Sequence, residues 1–163
     1  MLNELYEIIE RRKIVDSRGF FLKTMTGFEN DLPQTFGEIY VIKGDEGRAR
    51  ANHYHDVATE WFTILQGQVR LNLKHVDTGE VASILMTDDA PVTVRVNPRV
   101  AHSLVGVRQI DYILMAYTDV RYEASDTIAH APIELESVSV PPAPADARAS
   151  QSLANDRGPK ETS

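Results

Sequence analysis

The stretch Gly47-Arg-Ala-Arg-Ala-Asn-His-Tyr-His-Asp-Val-Ala-Thr-Glu-Trp-Phe-Thr-Ile-Leu-Gln-Gly67 decides the fold of this chain. Its His53 and His55 are two positions apart, so on a β-strand their imidazoles leave the same face. The four residues between His55 and Glu60 are enough for a hairpin loop, after which a returning strand brings the Glu60 carboxylate beside the two rings. The spacing therefore predicts a β-hairpin that offers three ligands to one metal ion.

A fourth candidate ligand, His102, lies far downstream in the stretch Val96-Asn-Pro-Arg-Val-Ala-His102. Three imidazoles and one carboxylate form a site for a divalent transition metal, with coordination positions left for water or substrate. These ligands suit Zn²⁺, Fe²⁺, Mn²⁺, Ni²⁺ and Cu²⁺, of which zinc is slightly favoured. The alternative is a set of histidines that face solvent on exposed strands.

The composition fits one globular domain with a hydrophobic core, because the 163 residues are 42% hydrophobic and 25% charged. A formal net charge of −7 argues against a broad surface for nucleic acid or anionic membranes. The chain contains no cysteine, which excludes disulfides and thiolate metal ligands. The first residues, Met1 to Arg12, are charged and amphipathic, unlike the apolar core expected of a signal sequence, and no apolar run approaches about 18 residues. We therefore expect a cytoplasmic protein that binds neither nucleic acid nor a membrane.

Short β-patterned runs, separated by turn residues, continue along most of the chain. They cover residues 19–25, 36–43, 50–55, 60–65, 68–76, 81–86, 92–96, 102–107 and 111–117. Many short strands without a long helical pattern predict an all-β barrel or jelly roll. The first 13 residues fit either a short helix or an edge strand.

The C-terminal residues 138–163 differ from the rest in composition, because proline, alanine and serine replace the apolar periodicity. Such a segment cannot bury enough surface to offset its ordering entropy. We expect one domain over residues 1–137 and a disordered tail over residues 138–163. A tail peptide that docks on a partner is the alternative.

The histidine hairpin resembles the first motif of the cupin superfamily, and the stretch that ends at His102 resembles the second. In this chain Arg99 stands where the second motif usually has a turn glycine. The resemblance implies a small cupin-type double-stranded β-helix, a jelly-roll barrel, in which His102 is the last metal ligand.

Three segments are similar to cupins that act on nucleotide-linked sugars. Asp16-Ser-Arg-Gly-Phe-Phe21 resembles a stretch near the start of dTDP-4-dehydrorhamnose 3,5-epimerases. Arg50-Ala-Asn-His-Tyr-His55 resembles Arg-Gly-Asn-His-Tyr-His in the C-terminal cupin domain of capsular-polysaccharide reductase/epimerases, and Arg-Gly-x-His-x-His in dTDP-sugar 3,4-ketoisomerases. Tyr117-Thr-Asp119 falls where these families carry Thr-Asp or Ser-Asp. The resemblance covers residues 14 to about 127 and implies an epimerase or isomerase of a nucleotide-linked 4-keto-6-deoxy sugar, a role in polysaccharide biosynthesis.

Such a reaction removes a proton next to the carbonyl and stabilises the enolate, which a Lewis-acid metal can do. In the 3,5-epimerases the histidine that matches His53 is a catalytic base, no metal is needed, and the paired tyrosine belongs near Met115. Because methionine cannot exchange a proton, the metal-dependent capsular type fits better.

His53 can give its lone pair to a metal or accept a proton, but it cannot do both. We expect it to be a ligand together with His55, Glu60 and His102. The base would then be a metal-bound hydroxide, Tyr40 or Tyr117.

Arg50 and Arg18 are candidate contacts for the substrate diphosphate, because a guanidinium binds phosphate oxygens bidentately. Strict alternation places Arg50 on the face opposite His53, so its role requires a β-bulge. For Arg18 the alternative is an exposed surface arginine.

Two other functions fit the same four ligands. One is an Fe²⁺-dependent cupin dioxygenase, and the other is a non-catalytic cupin that binds a sugar or another metabolite. Because open barrels of this kind have edge strands that can pair, we expect a homodimer.

Overall fold

The computed structural model describes residues 5–17, 19–26, 36–107 and 111–132, and this part of the chain is almost entirely β-structure. Its strands are β1 (Tyr6–Glu10), β2 (Lys13–Asp16), β3 (Gly19–Leu22), β4 (Glu38–Gly44), β5 (Ala49–Tyr54), β6 (Glu60–Gln66), β7 (Gln68–His75), β8 (Val81–Thr87), β9 (Val92–Val96), β10 (Val100–Gly106), β11 (Tyr112–Thr118) and β12 (Ile128–Ala129). One 3₁₀ turn spans Ala124–Asp126. Each β-patterned run of the sequence contains a strand, and the ambiguous N-terminal stretch forms the edge strand β1.

The strands form two five-stranded sheets in the orders β1-β9-β6-β11-β4 and β12-β5-β10-β7-β8, with antiparallel pairing throughout. Sheet neighbours such as β6 and β11 are distant in sequence, as they are in a jelly roll. Strands β2 and β3 form a separate two-stranded ribbon. The predicted all-β jelly-roll architecture is confirmed.

Alternating apolar side chains fill the space between the two sheets. Val69, Leu71 and Leu73 of β7 are 0% exposed, which agrees with the period of two in their sequence. The inward faces of β6 and β10 also carry two polar side chains, Glu60 and His102, which are 3% and 1% exposed. The hydrophobic core therefore encloses two ionisable side chains, and their burial is unfavourable unless neighbouring groups pair with them.

Strand β5 contains a β-bulge directly before His53. His53 pairs with His102 on β10 and Ala51 pairs with Ser103, so Asn52 is the extra residue. Ala51 and Asn52 have φ angles of +66° and +59°, a left-handed conformation that costs an L-residue about 1–2 kcal/mol. The bulge brings Arg50 and His53 to the lining of the same cavity, so the bulge that the predicted role of Arg50 requires is present.

Some of the sequence-based predictions concern residues that the structure does not describe. Arg18 and the tail over residues 138–163 lie outside the described ranges. Among the described residues, no helix has the length and apolar character needed to cross a membrane.

Candidate functional site

The four predicted ligands converge on one point. One ligand atom from each of His53, His55, Glu60 and His102 lies within 4.8 Å of the other three. Glu60 Oε2 is 3.0 Å from Nε2 of His102 and 3.5 Å from Nε2 of His55. The ring of His53 lies 4.9 Å and 4.7 Å from the rings of His55 and His102, measured between centroids. Three separate stretches of sequence thus form one cluster, which we call the ligand cluster.

Main-chain carbonyls orient two of the three imidazoles. Nδ1 of His55 is 2.9 Å from the carbonyl oxygen of Asp126, and Nδ1 of His102 is 3.2 Å from that of Val100. Because a carbonyl can only accept, each Nδ1 is assigned the proton, which leaves the Nε2 lone pair of each neutral ring for the centre of the cluster. This tautomer is the one that coordination through Nε2 requires.

The carboxylate of Glu60 is the deeply buried negative charge of the ligand cluster. Its Oε1 accepts a hydrogen bond of 2.7 Å from the Tyr40 hydroxyl, whereas its buried Oε2 has no hydrogen-bond donor among the described residues. Burial by itself would raise the pKa of Glu60, but the facing His102 and His55 rings and the Tyr40 hydroxyl lower it to about 2. A buried anion in this position needs a proton on a facing ring or a metal ion. Three nitrogen donors and one oxygen donor fit a divalent transition metal.

The histidines differ in how they bind protons. Burial and the nearby His102 lower the pKa of His53 to about 4, so His53 is neutral at neutral pH. Burial would also lower the pKa of His102, but the adjacent Glu60 carboxylate raises it. The Glu60 carboxylate therefore favours a proton on His102 more than burial of that ring alone would allow.

Two cavities open onto the ligand cluster. One of about 290 Å³ is lined by β4 and by the C-terminal segment, including Glu38 and Arg121. The other, of about 320 Å³, is lined by β5, β6 and β10 and includes Arg50. Tyr40, His53 and Glu60 line both cavities. The ligand cluster therefore borders both cavities.

Tyr40 is the predicted catalytic tyrosine that reaches the cluster. Its hydroxyl donates to Glu60, and burial together with the Glu60 charge raises the pKa of Tyr40 above its ordinary range. The phenol therefore keeps its proton at neutral pH. In this state Tyr40 is suited to donating a proton to a basic carbon rather than to accepting the first one.

Tyr117 does not reach the cluster. Its ring packs on Trp61 at 5.1 Å and on Phe36 at 5.7 Å, and it lines neither cavity. Side chains alternate along β11, so Thr118 rather than Tyr117 lines the cavity of about 290 Å³. The structure therefore places Tyr117 away from the ligand cluster, and its role as a base stays a prediction.

Sequence reasoning missed several polar residues around the cluster. Glu38 precedes Tyr40 by two positions, so their shared strand face was a usable signal. Asp126 comes from a short 3₁₀ turn and contacts the loop before Glu60, yet nothing in its local sequence indicates this contact. The role of Asp126 becomes visible only when the C-terminal segment and the loop before Glu60 are brought together.

Residues 14–128 match the family of polysaccharide biosynthesis C-terminal domains. The chain belongs to this family. The match spans more than half of the 163 residues and includes all four members of the ligand cluster. Among curated proteins, no sequence gives a significant match.

Solved structures share the fold of this family member. A dTDP sugar isomerase from Desulfovibrio desulfuricans G20 is 18% identical with a TM-score of 0.73, over 88% of this chain and 94% of that one. QdtA, a sugar 3,4-ketoisomerase from Thermoanaerobacterium thermosaccharolyticum in complex with TDP, is 23% identical with a TM-score of 0.64, over 78% and 89% of the two chains. The capsular polysaccharide assembling protein CapF from Staphylococcus aureus is 20% identical with a TM-score of 0.57, over 74% of this chain and 34% of CapF. The predicted cupin-type fold is confirmed.

Proposed function

We propose that this protein is an epimerase or isomerase of a nucleotide-linked 4-keto-6-deoxy sugar. The observation that carries the proposal is the convergence of three imidazoles, a carboxylate and the Tyr40 phenol at two cavities. Such groups can move a proton next to a ketone and stabilise the negative charge that develops on its oxygen. The proposal is supported by a fold shared with a dTDP sugar isomerase and a sugar 3,4-ketoisomerase.

The proposal includes a divalent metal, with zinc slightly favoured over iron, manganese or nickel, held by His53, His55, Glu60 and His102. The buried Oε2 of Glu60 and the Nε2 lone pairs that face it support this assignment. When bound, the metal would supply Lewis-acid stabilisation of negative charge on the enolate oxygen.

The other residues hold the substrate and move protons. Arg50 lines the cavity of about 320 Å³ together with His53, and we propose that it binds the diphosphate. Tyr40 is proposed to deliver a proton to the enolate carbon, because its hydroxyl stays protonated beside Glu60. The diphosphate contact of Arg18, the homodimer and the cytoplasmic location remain predictions.

Isotope exchange tests the reaction directly. The purified protein is incubated with dTDP-4-keto-6-deoxyglucose in D₂O, and the sugar is followed by NMR and mass spectrometry. We expect deuterium at C3 or C5, because proton removal next to the ketone exchanges the hydrogen with solvent. The proposed function is refuted if neither position gains deuterium.

His53→Asn separates the two roles of His53. If His53 is a ligand, the variant loses metal affinity together with exchange activity; if it is the base, metal content stays while exchange stops. His75→Asn is the matched control, because Nδ1 of His75 accepts from the backbone of the Asp77 turn and the ring lies outside the cluster. The control should keep both metal and exchange.

A further inference from the structure

The loop between β5 and β6, residues 55–59, carries His55 and leads directly into Glu60, so we call it the ligand loop. Its path is fixed by one side chain from the C-terminal segment. The backbone N–H groups of residues 56 and 57 donate to Oδ1 of Asp126 at 2.8 Å and 2.9 Å, and that of residue 58 donates to Oδ2 at 3.1 Å. Three consecutive N–H groups on one carboxylate form an anion-binding turn.

The same residue also orients the ligand ring. The main-chain oxygen of Asp126 is 2.9 Å from Nδ1 of His55, and Oδ2 lies 3.5 Å from the same nitrogen. Both oxygens face the Nδ1 proton, so the Nε2 lone pair remains directed to the ligand cluster. With its side chain only 13% exposed, Asp126 makes these contacts largely out of solvent.

We propose that Asp126 is a positioning residue of the ligand cluster, which holds His55 in the Nδ1–H tautomer and so prepares its Nε2 for metal. The inference rests on the proposed metal site and adds to it a residue that acts through His55 and the ligand loop rather than as a ligand. Outer-shell acceptors of this kind fix the tautomer and orientation of a metal-binding histidine.

The surrounding structure explains why this residue can act on the loop. Its 3₁₀ turn is anchored to β5 because Ile128 of β12 pairs with Tyr54 and the His130 N–H donates to the Asn52 carbonyl at 2.8 Å. Without the carboxylate, three loop N–H groups lose their acceptor and the loop can repack. The His55 ring could then place its proton on Nε2 and block the ligand nitrogen.

The test uses the full-length protein with Asp126→Ala and Asp126→Asn. Histidine-selective ¹⁵N NMR of the metal-free protein, at a pH where His55 is neutral, reports the tautomer. Competition with a chromophoric chelator reports Zn²⁺ affinity. We expect the Nδ1–H form in the native protein, a mixed or Nε2–H form in Asp126→Ala, and Zn²⁺ binding weakened about 10- to 100-fold. The Zn²⁺ affinity of Asp126→Asn should lie between that of the native protein and that of Asp126→Ala, because the amide oxygen of asparagine can still accept hydrogen bonds from the loop N–H groups.

Asp88→Ala is the matched control, because Asp88 Oδ2 also accepts a backbone N–H, that of Gly67 at 3.0 Å, but in a turn away from the cluster. It should lower the melting temperature without changing the His55 tautomer or Zn²⁺ affinity. If Asp126→Ala behaves in the same way, Asp126 only stabilises a loop and the proposal is overturned. If Asp126→Ala does not fold, the His55 tautomer and Zn²⁺ affinity of Asp126→Asn decide between these two outcomes. A tautomer change in a protein that never binds Zn²⁺ supports the positioning of His55 but refutes the metal site.

Discussion

Replacing Tyr40 by phenylalanine removes one hydroxyl group from the ligand cluster and should destabilise the metal-free protein. That hydroxyl donates a 2.7 Å hydrogen bond to Oε1 of Glu60, whose side chain is 3% exposed. In the variant the buried carboxylate loses this donor, and its Oε2 already has no donor among the described residues. Tyr40→Phe therefore measures how much one hydrogen bond to a charged acceptor contributes to the free energy of unfolding.

The magnitude follows from the charge and burial of the acceptor. A hydrogen bond to a charged group contributes about 1.5–3 kcal/mol to the free energy of unfolding. For a chain of this size about 1 kcal/mol corresponds to about 2–4 °C, so the melting temperature should fall by about 3–12 °C. A water molecule that replaces the hydroxyl as donor to Glu60 would reduce the loss of melting temperature toward about 3 °C.

The loss should depend on pH, because the bond stabilises the ionised carboxylate. The pKa of Glu60 falls from 4.5 to about 2 on folding. A group whose pKa is depressed by folding contributes stability above its unfolded pKa, and this contribution disappears as the pH falls through the folded value. The difference between Tyr40→Phe and the native protein should therefore be largest above about pH 5 and should shrink toward pH 2.

Thermal unfolding in the presence of a chelator, followed by circular dichroism from pH 7 to pH 2, measures both effects. Tyr122→Phe is the matched control, because Tyr122 is 66% exposed and lies at the wall of the same cavity. The control should change the free energy of unfolding by less than about 0.5 kcal/mol. If Tyr40→Phe matches the control at every pH, the bond to Glu60 does not stabilise the fold and this reasoning fails.

Three further predictions concern metal, backbone and assembly. Removing metal with EDTA should lower the melting temperature, and Zn²⁺ at about 100 times its Kd should restore about 2.7 kcal/mol; a melting temperature indifferent to both would argue against a metal site. Ala51→Val should cost about 1–2 kcal/mol more than Ala49→Val in thermal unfolding, because Ala51 has a φ of +66° and a β-branched residue fits poorly there, and equal losses would exclude backbone strain at the bulge. Phe21→Asp should convert the predicted homodimer into a monomer in light scattering, because Phe21 is 57% exposed and forms an apolar patch on the β2–β3 ribbon with the exposed Ile14, Val15 and Phe20; a native protein that is already monomeric would contradict the dimer.

The ligand set could be found from the sequence because the relevant rules are local. His53 and His55 share a face through the period of two in a strand, and Glu60 follows after one loop. His102 was recognised through its motif, and β10 places it opposite His53 in the ladder. The distance of His102 along the chain did not prevent this prediction, because the residues around His102 by themselves indicate a strand and a ligand position.

The positions of Tyr117 and Arg50 could not be fixed in this way. Tyr117 lies on the face that packs on Trp61, and which face of β11 points to the cluster depends on how the sheets stack. The proposed role of Arg50 requires a bulge in β5, which the sequence does not indicate. Ala51 stands where a glycine would have been the usual sign of a left-handed residue. The first outcome depends on how the two sheets stack, and the second on how β5 pairs with β10.

The sequence by itself determined the strands, the ligand types and the cupin family resemblance, because alternation, turn residues and short motifs act over a few neighbouring positions. Only the tertiary structure decided that Oε2 of Glu60 lacks a donor among the described residues, that Tyr40 rather than Tyr117 reaches the cluster, and that Asp126 holds the ligand loop. These are contacts between segments far apart in the chain. Their energies depend on burial and on distances that exist only once the sheets have packed.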